Sequence, residues 1–291
     1  MKFYLFLLFG ICSNFIFSQS RNTSAKEIAD LKGRIMIVSS QISNQEIYDN
    51  ILYAFKQEWT YSDSVIQMQT GLATRLLFST EKKYVRVQLK TYSLGSGGAT
   101  IDYEGDDKRV TSGVGRISKL LISTEKGETY FIALPTDPDF TKEMFVEAVR
   151  RGIFIMKEIE EVGSWNKAYI GLEKKYASEI NNKTLLICDT DIEDTIQKNK
   201  IQSIIPFESK FVPIETIDSL IQNKVEGFAY IVVTGENISA NTKYVCSTTD
   251  GKVITRDHSA SVTSIYSFQS DSKAKYFLRP QDIKSIIKNL Q

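Results

Sequence analysis

Histidine occurs once in the 291 residues, at His258, and cysteine three times. A Ser-His-Asp or Cys-His hydrolase needs an imidazole placed as general base. His258 lies in the polar run Arg256-Asp257-His258-Ser259, where neighbouring side chains point apart, so it reads as a solvated loop residue. Zinc sites need three or four Cys, His or carboxylate ligands at close intervals. One His and a few scattered Cys do not supply them, and neither a metal nor a cofactor is expected. An excess of charge is also missing, with 36 Lys and Arg against 35 Asp and Glu. Polyanion binding depends on clustered cations that neutralise many phosphates, which argues against nucleic acid as the partner. The pairs Lys82-Lys83 and Lys174-Lys175 read as solvated faces. The Gly-rich stretch Ser93–Arg116 has neither the Gly-x-x-x-x-Gly-Lys-Ser/Thr spacing nor a dinucleotide fingerprint. It is read as a mobile loop or a wide hairpin.

What is present begins with the first twenty residues. Lys2 precedes an apolar run from Phe3 to Cys12 and a small-residue exit at Ser18-Gln19-Ser20. That is the build of a secretory signal peptide, too short in its apolar core for a span of roughly twenty residues. Ile11 before Cys12 argues against lipidation. The chain is therefore expected to be exported, to the periplasm or the cell surface, with no membrane span once residues 1–20 are removed. Loss of Lys2 leaves 35 basic against 35 acidic residues. Of the cysteines, Cys188 and Cys246 remain, both in apolar strand-like runs; an oxidising compartment would allow them to pair, and two buried free thiols is the favoured reading.

Residues 21–33 are polar apart from Ile28 and Leu31 and are read as a fraying lead-in or one helical turn, with order starting at Arg34. Ile35-Met36-Ile37-Val38 is an unbroken apolar run ending in Ser39-Ser40, the pattern of a strand buried on both faces. Ser43-Asn44-Gln45-Glu46 reads as a capping box for a helix striped by Ile47, Ile51, Leu52 and Phe55. A strand from Ser64 to Met68, a helix carrying Leu72, Leu76 and Leu77, and a strand Tyr84–Leu89 follow. Leu120–Thr124 and Thr129–Ala133 flank a Gly-containing turn as a hairpin. From Thr141 the apolar residues Met144, Phe145, Ala148, Val149, Ile153, Met156 and Ile159 return to helical spacing.

The second half repeats this order. Thr184–Cys188 matches the opening strand, and Ile192–Ile205 the first helix, with an interruption expected near Asn199. Lys210–Val212 and Phe228–Val233 are further strands around a helix bearing Ile214, Ile217, Leu220 and Ile221. Ile122-Ser123-Thr124-Glu125-Lys126-Gly127 stands against Cys246-Ser247-Thr248-Thr249-Asp250-Gly251, and Pro280 opens a final helix. A spacing of about 150 residues means a domain duplication rather than a short solenoid repeat. The expected fold is α/β: two tandem, related small α/β sandwich domains, each a mixed sheet of parallel core plus antiparallel hairpin, covered by helices. Residues 21–162 form the first, 163–182 a partly helical linker and 183–291 the second.

One constellation points to chemistry. Leu185-Leu186-Ile187-Cys188-Asp189-Thr190-Asp191 is an apolar strand ending in Asp-x-Asp. It resembles the first motif of haloacid-dehalogenase-like phosphotransferases. The resemblance implies that Asp189 attacks phosphorus and Asp191 handles the proton beside a magnesium ion. It covers about seven residues; Glu193 stands where a Thr or Val is expected, and the first half reads Ser39-Ser40-Gln41 at the equivalent point. Asp189 and Asp191 equally suit a turn and a helix cap. Because ligands of parallel sheets gather at strand carboxyl ends, Ser39, Ser40, Asp189, Thr190 and Asp191 are the candidate ligand-binding loops. The leading expectation is a non-catalytic exported protein that binds a protein or envelope component as scaffold or docking unit. The alternatives are a magnesium-dependent phosphatase using Asp189 and Asp191, or a small-molecule carrier.

Overall fold

The structure, a computed structural model, describes residues 23–40, 45–79, 81, 83–95, 98–102, 113–135, 140–237, 240–257 and 278–291. The leader, Ser43-Asn44 of the expected capping box, and His258 lie outside the described residues.

Strand β1 (Arg34–Ser40) is apolar enough to be covered on both sides and takes the inner place of a parallel trio, with β2 (Ser62–Gln69) and β3 (Tyr84–Gly95) as neighbours. Helices α2 (Gln45–Glu58) and α3 (Thr70–Leu77) make the crossovers. Beyond β3 the sheet turns antiparallel through β5 (Gly113–Thr124) and β6 (Gly127–Ala133), giving the order β2-β1-β3-β5-β6. The short β4 (Gly98–Asp102) pairs with the far end of β3, and Gly95 lies opposite Gly113. Of the two readings of the Gly-rich stretch, its described residues take the wide hairpin.

The second sheet has the same plan: β7 (Thr184–Cys188) lies between parallel β8 (Ser209–Val212) and β9 (Phe228–Asn237), and β10 (Ala240–Ser247) and β11 (Val253–Asp257) follow antiparallel. Its order, β8-β7-β9-β10-β11, reproduces the first strand for strand. The helices are α6 (Thr195–Ile204), α7 (Ile214–Gln222) and α8 (Pro280–Leu290). Two mixed α/β sheets with helical cover are thus present, as the sequence pattern implied.

Two local expectations are corrected. Order starts at least as early as Thr23 rather than at Arg34: Ser24 caps α1 (Ala25–Ala29) with a reciprocal Glu27 capping box. Ile28 and Leu31 are fully buried, and their two apolar side chains anchor a turn that would fray alone. The helix expected to break near Asn199 is continuous; Asn199 is exposed, where its modest helix propensity costs only a few tenths of a kcal/mol. A short 3-10 turn, Asp189–Asp191, precedes it.

The last helix of the first unit, α4 (Lys142–Val162), sets how the sheets combine. Thr141 caps it, and Gly163 ends it in a left-handed conformation at φ 92°. It is buried almost all round by Phe145, Val146, Ala148, Val149, Ile153, Ile155, Met156 and Ile159. On one side these meet Met36, Val38, Val85, Val87, Leu120, Ile122 and Ile132 of the first sheet. On the other they join Leu186, Cys188, Tyr230, Tyr244, Cys246 and Val253 of the second sheet and Ile217 and Ile221 of α7. The opposite face of the second sheet closes separately under α6 and α8, around Leu185, Ile187, Ala229, Ile231, Val245 and Ile283. Layers therefore run α3, first sheet, α2 and α4 with α7, second sheet, α6 and α8. In the first unit the face bearing its first and last helices looks inward; in the second it looks outward. The units stack head to tail. Between them, α5 (Trp165–Gly171) and a 3-10 helix (Ala177–Asn182) are packed, and Pro135 bridges Thr234 from sheet to sheet.

Candidate functional site

The residues singled out by sequence occupy equivalent places, the carboxyl ends of β1 and β7, but they are not brought together and differ in chemistry. Ser39 and Ser40 are buried. Ser39 Oγ is 2.9 Å from Thr70 Oγ1, and Ser40 Oγ donates to the Met68 carbonyl at 3.2 Å. Thr70 Oγ1 donates in turn to the Ser40 carbonyl, and Arg86 donates to Thr74 Oγ1 at 2.9 Å. These hydroxyls join the ends of β1 and β2 to the start of α3.

The β7 end is open to solvent. Asp189 is about one-third exposed, and its Oδ1 lies 2.5 Å from Lys198 Nζ on α6. Thr190 is exposed, with its Oγ1 3.3 Å from Cys188 Sγ. Asp191 is partly exposed, and its carbonyl accepts the Leu278 amide at 2.7 Å, bringing the entry to α8 against this loop. The cap of α6 is Asp194, whose carboxylate accepts the Gln197 amide, so Asp189 and Asp191 serve the turn and not the cap. Among the described residues, no group of three or more His, Cys, Asp or Glu is placed to hold a metal ion.

Sequence reasoning missed a second constellation, the polar seam between the units. Arg150 and Arg151 sit mid-helix in α4, both buried. Arg150 Nη2 donates to Glu58 Oε1 on α2 at 2.8 Å, while its Nη1 donates to the Ile221 carbonyl at 2.6 Å, adding a charged donor to a carbonyl at the end of α7 that also accepts the Lys224 amide. Arg151 Nε donates to Glu147 Oε1 and its Nη2 to the Ala133 carbonyl, each at 2.8 Å, and the guanidinium lies over the Tyr244 ring at 4.9 Å. Tyr244 and Tyr169 share a hydroxyl–hydroxyl hydrogen bond of 2.9 Å. Burial alone would lower the Arg151 pKa, but the adjacent Glu147 carboxylate holds it above the ordinary range. Cys246 faces the same layer; burial, then Glu147, pushes its thiol well above normal, and neither Cys188 nor Cys246 is in a disulfide. Such a thiol is inert. The signal was weak: Glu147, Arg150 and Arg151 fall together on the polar side of α4, and only Phe154 beside them points to a second covered side.

On α7, Asp218 is pushed up to about 6, first by burial and then by the carboxylates of Glu143, Glu147 and Glu215. A folded-state value above the ordinary 3.8 means that the fold binds this proton more tightly than the unfolded chain does. Stability therefore falls as pH rises through the interval from about 4 to 6 and stays reduced above it. Asp218→Asn is expected to raise Tm by about 2–4 °C at pH 8, a gain that shrinks toward zero at pH 4. Calorimetric scans at both values check this; a pH-independent difference would contradict it.

Fold and seam together define a tandem α/β protein whose two units are stacked on one shared helix. Comparison with protein-family models, curated proteins and solved structures found no match to this chain.

Proposed function

We propose that the chain is an exported, non-catalytic binding or scaffold protein of the cell envelope, working in the periplasm or at the cell surface on a protein or envelope component. In this reading residues 1–20 are the export signal, 21–162 and 183–291 the two units and 163–182 their connection. The observation that carries it is the commitment of polar side chains to architecture: the seam arginines lock the units together, and Ser39 and Ser40 are consumed within the fold. Such a body presents fixed surfaces rather than a hinged cleft. Among the described residues no helix is long and apolar enough to cross a membrane.

A second reading is favoured by one observation. Asp189 stands at the carboxyl end of the inner parallel strand, partly open to solvent and paired with Lys198, a location suited to a phosphatase or phosphotransferase of haloacid-dehalogenase-like type using Asp189 and Asp191 with magnesium. One experiment separates the two. The mature chain is incubated with magnesium and a general phosphatase substrate, beside Asp189→Asn and a fusion of residues 1–20 to a reporter active only after export. The scaffold reading expects reporter activity and no turnover that depends on Asp189. Turnover abolished by Asp189→Asn would establish the enzyme instead, and a silent reporter would remove export.

A further inference from the structure

Beneath α8 lies a buried cluster that neither strand end uses. Lys243 on β10 has a side chain 1 % exposed, Asp282 in the first turn of α8 4 %, and Asp257 at the end of β11 8 %. Lys243 Nζ stands 3.0 Å from Asp282 Oδ1 and 3.6 Å from Asp257 Oδ2. The other carboxylate oxygen of Asp282, Oδ2, accepts the Arg279 backbone amide at 2.9 Å and has Arg279 Nε at 3.5 Å. Asp257 Oδ1 accepts from Ser285 Oγ at 2.6 Å. Val233 lies opposite Lys243 in the ladder, and Val245, Ile283 and Ile286 belong to the surrounding apolar core.

Burying one ammonium and two carboxylates is expensive, and their mutual attraction repays that cost only in part. Condensation of the amine with one carboxylate abolishes two of the three charges. The arrangement supplies what that reaction needs: a desolvated amine in contact with its electrophile, an amide donor on the carbonyl oxygen that would persist, and a second carboxylate to carry protons. Immobilised partners of this kind react with effective molarities on the order of 10⁵–10⁸ M.

We propose that Lys243 and Asp282 form an intramolecular isopeptide bond, Nζ to Cγ, with Asp257 as the proton carrier. The Lys243 ammonium gives a proton to Asp257 Oδ2, and the free amine attacks Asp282 Cγ while the Arg279 amide holds Oδ2. The C–Oδ1 bond breaks, and Oδ1 leaves as water with one proton returned by Asp257 and one from the attacking nitrogen. Ammonium plus carboxylate becomes amide plus water, with no oxidant or co-reactant. Ser285 is a positioning residue, holding the Asp257 carboxylate in reach. The product is a covalent tie between strand β10 of the second sheet and α8, independent of what the chain binds.

The full-length folded protein is denatured, digested with trypsin and mapped by mass spectrometry. The expected result is a branched species joining 225–252, uncut at Lys243, to 276–284, with a mass 18 Da below the sum of the two peptides. Asp282→Asn is expected to cross-link with loss of ammonia, 17 Da, and Asp257→Ala to leave the peptides separate while its circular dichroism stays that of the parent. Recovery of unlinked 276–284 at its sequence mass, with cleavage after Lys243 in the folded parent protein, would overturn the proposal whatever the variants do.

Discussion

Arg151→Met is expected to lower the unfolding free energy by about 3–5 kcal/mol, the usual cost of breaking a buried ion pair by removing one partner. The substitution keeps side-chain volume but leaves the Glu147 carboxylate buried without its cation, and the Ala133 carbonyl loses its donor. Arg151 lies between the hairpin of the first sheet and Tyr244 of the second, so both units lose a contact at once. Urea unfolding followed by circular dichroism measures the change. Glu147→Met added to Arg151→Met should restore a substantial part of the loss, since two apolar residues then replace an orphaned charge. A single variant within about 0.5 kcal/mol of the parent, the range of unremarkable surface changes, would mean that the seam does not hold the units.

Gly251→Ala is expected to be nearly as costly, at about 2–4 kcal/mol, from two additive causes. Gly251 turns the β10–β11 hairpin at φ 68°, a left-handed conformation that strains other residues. An added Cβ would also come within 2.6 Å of Arg150 Cβ and 3.0 Å of the Arg150 carbonyl carbon and the Arg151 nitrogen. Those are helix-backbone positions of α4, which cannot swing aside as a side-chain tip could. Gly227→Ala is the control: φ is 85° there, and nothing lies within 4 Å. Denaturant midpoints for both variants separate the dihedral cost from the contact cost. Equal losses would show that the hairpin does not press on α4.

These effects converge on α4 because both sheets use it, and this is where the sequence pattern was hardest to read. A helix that covers one sheet carries one apolar stripe, and Met144, Phe145, Ala148, Val149, Ile153, Met156 and Ile159 satisfy that description. Val146 is also buried at the edge of that stripe, and Phe154, on the opposite side, is partly buried against the same core. Phe154 signalled a second layer, but Glu147, Arg150 and Arg151 beside it have the chemistry of a solvated face. Charged side chains are almost never fully buried unless paired; Glu147 and Arg151 pair within one turn of α4, but the remaining partners, Glu58, the Ile221 carbonyl and the Ala133 carbonyl, come from other elements. The cluster of Lys243, Asp257 and Asp282 escaped notice for the same reason: each reads as surface until strand register and helix docking bring them together.

The strand-end residues show the complementary case. Ser39-Ser40 and Asp189-Thr190-Asp191 were placed correctly at the ends of the inner strands, because apolar runs with polar stops mark strand ends. What those residues do at the ends was not legible. Ser39 and Ser40 turn inward to Thr70 and Met68, whereas Asp189 turns to Lys198. The serines find their partners at the end of the neighbouring strand β2 and the start of α3, and Asp189 on the crossover helix α6, so each pairing waits on a tertiary event.

Local pattern by itself determined that this protein has two mixed sheets of one plan, because strand and helix periodicities, turn glycines and the recurring hairpin wording are short-range properties. Tertiary structure alone decided which face of each sheet looks inward, that one helix serves both, and which charged groups are buried. Those outcomes depend on apolar area removed from water between distant segments, and no local window contains both surfaces.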